Sequence, residues 1–560
     1  MTRNTDIMNL ILSQTSVLRD VVNECLKGKE PWQIVTMTTS IVLTTVWMYK
    51  QIFQEDSLYE RGKKTAFKLI RKVPAVKRKI QTELSKIEHT FNEDVAERNK
   101  NLPVFKELPE NGLPVSDIVQ LIDKYLQAGD YQWKDGKVSG AVYVYKEELI
   151  NLLTDVYGKA SYTNPLHPEI FPGICKMEAE VVRMTANLFH GGPQACGTMT
   201  TGGTESIMMA VKACRDYAIH ERGIKHPQMV VPTTAHPAFD KAAAYLKIKI
   251  IHVRVDPETT AVDLKAMKRA ITRNTCMLVG SVPNFPYGTM DDIVAIGALG
   301  ARYNIPVHVD ACLGGFVIAF MEKAGYKLPP FDFSVKGVTS ISADTHKYGC
   351  APKGSSVIMY SDKKYLHHQY TVTTDWPGGV YGSPTVNGSR AGGIIAACWA
   401  TFIYFGLNGY VDITKKVVST AKYIEEELRK IKDIFIFGTP ISTVIAIGSK
   451  SFHIYRLSDA LGKRGWNLNP LQYPPGIHLC VTSLHAQEGV AKSFVEDVKN
   501  EVAEIMKSPD DAVEGKMALY GMSASVPDRS IVGDLTRLFL DSMYYTDGSN
   551  IQNGDAHQKN

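Results

Sequence analysis

The sequence predicts an α/β chain: a large domain on a mostly parallel sheet, then a smaller α+β C-terminal domain, preceded by one transmembrane helix. Three observations predict it. Short β-rich runs at 228–232, 248–255, 276–282 and 305–310 alternate with helix-like stretches, the pattern of strands covered on both faces. One such stretch opens after Thr204, where Ile207, Ala210, Val211, Cys214 and Ala218 recur at helical spacing. From about residue 408 the texture changes. A helix over 415–431 precedes strand candidates at 434–437 and 443–447 and a long helix near 490–507. Near the N-terminus, residues 31–49 carry no charge.

The expected segments are therefore 1–54 with a transmembrane helix at about 31–50, a basic and helical stalk over 55–112, a large domain over 113–407, a small domain over 408–545 and a disordered polar tail over 546–560. At 560 residues, with 44% hydrophobic and 22% charged residues, the chain can bury a large core. That excludes a wholly disordered, collagen-like or polytopic membrane protein. The net charge is +5, yet residues 61–79 alone hold nine basic residues and no acidic one, so the remainder is net acidic. No nucleic-acid footprint follows from charge that local. Nine cysteines, an odd count without a CxxC pair, favour a reducing compartment, and no metal site is expected.

Nineteen uncharged residues rise roughly 28 Å as a helix, close to a bilayer's hydrocarbon thickness. Trp32 at one end and Trp47 with Tyr49 at the other suit the two interfaces, while six hydroxyl residues between Thr36 and Thr45 dilute the apolar character. The basic block follows at once, so the C-terminal body is expected on the cytosolic side.

The chemistry-bearing residues come in order along the α/β region. Thr201-Gly202-Gly203-Thr204-Glu205-Ser206 precedes the amphipathic helix, where glycines allow close backbone approach and the helix end favours an anion. His236 lies in Thr234-Ala235-His236-Pro237. His308-Val309-Asp310-Ala311 ends a β-rich run, where ligands bind in open α/β sheets. Ser342-Ala343-Asp344-Thr345-His346-Lys347-Tyr348-Gly349 follows another apolar run. Each motif alone has a plain reading: a connecting turn, a structural histidine, a helix-capping aspartate, a solvated lysine. Together they meet the needs of pyridoxal 5'-phosphate: a Schiff-base lysine, a carboxylate for the pyridine nitrogen, an anion-binding turn and a planar group over the ring.

With Asn164-Pro165-Leu166-His167-Pro168, Ala351-Pro352-Lys353-Gly354-Ser355-Ser356 and Gly388-Ser389-Arg390, these motifs resemble fold-type-I pyridoxal-phosphate enzymes of the group that includes glutamate and aromatic amino-acid decarboxylases. Within that group the chain is similar to the sphingosine-1-phosphate lyase family, from the membrane segment almost to the C-terminus. Ala391 stands where that family's pattern leads one to expect proline. The resemblance implies the PLP-dependent transferase fold type I and a role for each matching residue. Lys347 corresponds to the Schiff-base lysine, Asp310 to the pyridinium partner and His236 to the ring-stacking histidine. Gly203, Thr204 and His346 match cofactor-holding positions, and Ser389 reaches the cofactor phosphate across a homodimer interface with shared active sites. Asn164, His167 and Lys353 resemble groups that meet a substrate phosphate. Tyr143 and Tyr381 match active-site tyrosines, Tyr381 being the candidate for proton transfer.

The implied activity is cleavage of the C2–C3 bond of a phosphorylated sphingoid base to a long-chain aldehyde and ethanolamine phosphate, at the endoplasmic reticulum membrane. Two alternatives remain at this point: an amino-acid decarboxylase, which needs a clamp for an α-carboxylate and gains little from an anchor, and a catalytically silent membrane scaffold, which has no physical need for Lys347.

Overall fold

The computed structural model describes residues 19–21, 23–52, 58–129, 131–513, 517, 521 and 529–546. The tail expected over 546–560 lies outside them except for residue 546. The chain divides into two compact units, residues 1–97 with 527–560 and residues 98–526.

In the first unit, helix Pro31–Ile52 starts with proline at its first turn, where no backbone N–H is needed. Its 22 residues cover the stretch expected to be helical. Among the described residues only helix Gly392–Leu428 is long and apolar enough by composition to cross a membrane, and half of its apolar window is buried in the second unit. The threonines of Pro31–Ile52 hold that helix below the same mark. Helices Leu58–Ile70 and Pro74–Asn99 carry the basic block. The C-terminal helix Arg529–Ser542 belongs to this unit and not to the body: Arg71 pairs with Asp534 at 2.5 Å, and Phe91 meets Phe539 edge to face at 6.0 Å. Nothing in the local sequence pattern links segments that far apart in the chain.

The second unit is organised by a seven-stranded sheet. Its strands are β1 (Cys196–Thr200), β2 (Gln228–Pro232), β3 (Lys249–Val253), β4 (Thr275–Ser281), β5 (Val307–Asp310), β6 (Val338–Ala343) and β7 (Ser356–Tyr360), in the order β1-β7-β6-β5-β4-β2-β3. From β3 through β6 every pairing is parallel, whereas β7 runs antiparallel to both β6 and β1. Because β7 reverses between them, β1 points the same way as β6. The C-terminal ends of β1, β2, β4, β5 and β6 thus share one edge. Asp310 sits there, in register with Ser281 on one side and Ser342 on the other.

Strands buried on both faces explain the continuous apolar runs: every residue of β2, β4, β5 and β7 is buried. Helix Gly203–Arg222 lays Ile207, Ala210, Val211, Cys214 and Ala218 into the core, the face expected from spacing. Helix Gly392–Leu428 bends at Gly406, whose φ of 53° only glycine adopts at little strain, and the change of texture expected at residue 408 falls just beyond that bend. A hairpin of β8 (Thr371–Thr373) and β9 (Tyr381–Ser383) stands apart from the main sheet. Beyond the bend, β10 (Phe435–Ile436), β11 (Val444–Gly448), β12 (Asn469–Leu471) and β13 (Gly476–Cys480) form an antiparallel sheet in the order β10-β11-β13-β12. Helices Ile454–Lys463 and Val490–Ile505 pack against each other beside it.

Candidate active site

The shared edge of the sheet gathers the motifs. After β1, the chain turns through Thr201 and Gly202 into helix Gly203–Arg222, and Glu205 accepts hydrogen bonds from the Thr201 backbone N–H (2.7 Å) and hydroxyl (2.6 Å). That carboxylate pins the turn and leaves the helix N-terminus facing the edge. After β6, residues 344–349 form a turn that brings Lys347 Nζ to 2.8 Å from Asp344 Oδ2. The two motifs touch: a methyl group placed on Gly203 would lie 2.8 Å from both Asp344 carboxylate oxygens and 2.9 Å from Cys312 Sγ. Only glycine fits there.

Electrostatics at this point are unusual. Asp344 is 2% exposed, and its Oδ1 has no hydrogen-bond partner. Burial alone would depress the Lys347 ammonium, but the Asp344 charge and hydrogen bond, aided by Cys312 and Asp310, hold its pKa above the ordinary lysine value. His346 is held below its ordinary value by burial, and its Nδ1 accepts the Ser355 backbone N–H at 3.2 Å. Lys353 is likewise lowered, by burial and by the Lys347 charge. Its ammonium lies 4.9 Å from the centre of the Tyr143 ring. Tyr143 is buried and raised well above its ordinary pKa, chiefly by burial, then by Cys480 and Asp344, so its hydroxyl keeps its proton. Its ring meets Tyr348 edge to face at 4.8 Å, and the Tyr348 hydroxyl donates to Val481 O at 2.5 Å, tying the small sheet to the site.

Asp310 ends β5 and accepts the Cys312 backbone N–H at 3.1 Å. Two residues earlier, His308 is fully buried between Ser340 (2.9 Å) and Ser342 (3.1 Å), with its pKa pushed down to about 4 by burial. His236 follows β2 and is exposed; its Nδ1 accepts the Ala238 N–H at 3.1 Å, which leaves the ring proton on Nε2. Phe285 stands edge-on to His236 at 6.4 Å and to His478 at 4.8 Å.

Gly203, His346, Lys347, Lys353 and Tyr143 are thus brought together, with Asp310 reaching them through Cys312 and the charge of Lys347. A second group forms beside them. Asn164 Oδ1 accepts the backbone N–H of Leu166 (3.0 Å) and of Arg390 (3.1 Å), and the Arg390 guanidinium pairs with Glu178. Ser389 and Arg390 line a cavity of about 250 Å³ together with Thr201 and Glu205. His167 is exposed, 3.9 Å from Glu169. The Tyr381 hydroxyl faces Gly388, 2.9 Å from where a methyl group there would sit. Among the described residues no hydrogen bond, ion pair or ring contact joins Tyr381, Ser389, Asn164 or His167 to Lys347 within one chain.

Asp344 was given no role by sequence reasoning. The available signal was its position three residues before Lys347 in a turn, the spacing that pairs the two side chains.

Comparison with known proteins decides what this arrangement belongs to. Residues 99–448 match the pyridoxal-dependent decarboxylase conserved domain. The sphingosine-1-phosphate lyase of Drosophila melanogaster is 62% identical over 525 residues, 94% of this chain and 96% of its own length. The chain belongs to the sphingosine-1-phosphate lyase family. Sphingosine-1-phosphate lyase 1 of Mus musculus is 50% identical over 96% of this chain and 95% of its own. A solved sphingosine-1-phosphate lyase of Burkholderia pseudomallei superposes with a TM-score of 0.71 at 40% identity, covering 73% of this chain and 95% of that one. A glutamate decarboxylase of Lactobacillus brevis, 22% identical with a TM-score of 0.63, shares the fold.

The residues of this lyase-family chain fit the pyridoxal cofactor. A lysine paired at 2.8 Å with a buried carboxylate stands at the carboxyl edge of the sheet, a second carboxylate ends the adjacent strand, and a glycine that admits no Cβ opens a helix N-terminus beside them.

Proposed function

We propose that this chain is a pyridoxal-phosphate-dependent lyase that cleaves the C2–C3 bond of sphingosine 1-phosphate and related sphingoid base phosphates, giving a long-chain aldehyde and ethanolamine phosphate. The observation that carries the reading is 62% identity over 94% of the chain to a sphingosine-1-phosphate lyase, with Lys347 paired to the buried Asp344 at the carboxyl edge of the sheet.

When bound, pyridoxal phosphate supplies an electron sink for the breaking bond. Lys347 would carry the cofactor, Asp310 would keep its pyridine nitrogen protonated, and His236 would be the ring-stacking group. Gly203, Thr204 and His346 would hold the cofactor from one chain. Ser389 would reach the cofactor phosphate from a second copy, since within one chain it lines the cavity beside Thr201 and has no contact with Lys347. The Asn164 amide nitrogen, its oxygen already occupied by two backbone N–H groups, is free to donate to the substrate phosphate, with His167 and Lys353 supplying charge. A proton leaves the substrate 3-hydroxyl as the C2–C3 bond breaks, and C2 gains one. Tyr381 is the group that moves it, working with Tyr143 in a homodimer that shares its sites. Helix Pro31–Ile52 anchors the chain in the endoplasmic reticulum membrane with the body in the cytosol, where a lipid substrate is at hand.

Aldehyde release from sphingosine 1-phosphate, set against free sphingosine, glutamate and an aromatic amino acid, tests the reading. Turnover confined to the phosphorylated lipid is expected. Carbon dioxide release from an amino acid at a comparable rate overturns it.

A further inference from the structure

A buried carboxylate with one oxygen unsatisfied is costly to keep, and Asp344 is such a group. Its Oδ2 is engaged by Lys347 at 2.8 Å, while its Oδ1 has no partner although Gly203 closes over both oxygens. Nothing about the turn requires a carboxylate: the backbone bond from Lys347 N–H to Asp344 O would form with any residue there.

We propose that Asp344 is the counter-ion of the cofactor-bearing lysine, holding Lys347 in place as an ammonium before the cofactor arrives and keeping the C=N nitrogen protonated afterwards. The inference deepens the proposed function and rests on Lys347 as the attachment point. In the covalent step, the Lys347 ammonium gives a proton to solvent, its nitrogen bonds the cofactor's aldehyde carbon, and the aldehyde oxygen leaves as water. The new nitrogen can be neutral or carry a proton, and the charges around it decide which.

Those surroundings are few. Burial keeps the Cys312 and Cys480 thiols neutral, and it keeps His346 neutral as well. Tyr143, which faces Asp344, keeps its proton. That leaves Asp344 and Asp310 as the carboxylates and Lys353 as the opposing cation. Asp310 is assigned to the far end of the cofactor, so Asp344, 2.8 Å from the Lys347 nitrogen, is the nearest charge that this chain supplies there, beside those the cofactor itself brings. Asp344 therefore acts through Lys347 as a positioning and tuning residue.

The test is a pH titration of the visible absorbance of the holoenzyme, which reports protonation at the C=N nitrogen without turnover. An opposite charge within about 4–6 Å is worth about 1–3 pKa units. Asp344→Asn is expected to lower the spectral midpoint by that amount, Asp344→Glu to restore most of it, and Lys353→Met to move it the opposite way. Should Asp344→Asn not yield folded protein, Asp344→Ser, smaller and uncharged, carries the same measurement. An unchanged midpoint in the uncharged variant, with borohydride-fixed cofactor mapped to Lys347, overturns the inference alone. Label on another lysine overturns it together with the assignment of Lys347.

Discussion

Replacing Gly203 with alanine sets two opposing effects against each other. Alanine is favoured over glycine inside a helix by about 1 kcal/mol, so an unobstructed first-turn position would be stabilised. At Gly203 the new methyl would lie 2.8 Å from both Asp344 oxygens and 2.9 Å from Cys312 Sγ, well inside contact distance on three sides. If the helix start backs away, overpacking of this kind costs about 1–3 kcal/mol. If Asp344 swings aside instead, the 2.8 Å pair with Lys347 is broken, and stranding a buried charge costs about 3–5 kcal/mol. The cheaper route wins, and after the helix-propensity gain of about 1 kcal/mol the net loss in the cofactor-free protein is up to about 2 kcal/mol. The displaced turn should also weaken cofactor binding roughly tenfold for each 1.4 kcal/mol of misplacement. Gly202→Ala is the control. Its one close neighbour is His346 Cε1 at 3.3 Å, a ring edge that can yield, and its φ of 162° is ordinary extended backbone. Melting without cofactor and spectral titration with it should separate the two variants. A Gly203→Ala protein as stable as wild type, with unaltered cofactor titration, would refute the close contact between these two motifs.

Lys347→Ala should fold yet retain no cofactor after borohydride treatment and denaturation; peptide mapping that finds a pyridoxyl group on Lys353 or elsewhere contradicts the assignment. Lys353→Met keeps much of the stem's bulk but removes the ammonium over Tyr143, a loss of about 1.5–3 kcal/mol, so turnover of the phosphorylated lipid should fall roughly ten- to a hundredfold with the cofactor still bound. Acid should destabilise the body. His308, His478 and His485 are pushed down to about 4 by burial, against about 6.5 when unfolded. Below pH 6.5 the unfolded chain takes up protons that the fold refuses, so stability present above that pH is lost progressively down to about pH 4, on the order of 3 kcal/mol per imidazole. Urea midpoints that stay flat between pH 7 and pH 4.5 would contradict this.

Much of the sheet was legible because its strands are buried on both faces and read as unbroken apolar runs: 228–232 emerges with the same bounds, and 276–282 and 305–310 are off by one or two residues. The helix after Thr204 was legible for the complementary reason, one face in and one face out. Three things were not. The insertion of β7 between β6 and β1 is a matter of pairing, which composition does not encode, yet it swings the Gly202-Gly203 turn to the edge where Asp310 and Lys347 lie. The docking of helix Arg529–Ser542 on the N-terminal helices rests on contacts such as Arg71 with Asp534, more than four hundred residues apart in the chain. The partnership of Asp344 with Lys347 hid inside a motif recognised for its lysine.

The motif was readable for its lysine and histidine, while its aspartate was not. A polar run after a strand normally signals a solvated turn, and a charged pair three residues apart normally signals a weak surface ion pair. Here the same run ends a central strand beneath the start of a helix, so Asp344 is taken out of water while Lys347 stays about one quarter exposed, and the pair meets more strongly than it would on an open surface. Gly203 makes room for the buried Asp344 by having no side chain of its own. The chemistry of the site thus depends on three residues from two segments about 140 positions apart. One is the lysine proposed to carry the cofactor, one the buried carboxylate 2.8 Å from it, and one the glycine whose missing side chain leaves room for that carboxylate.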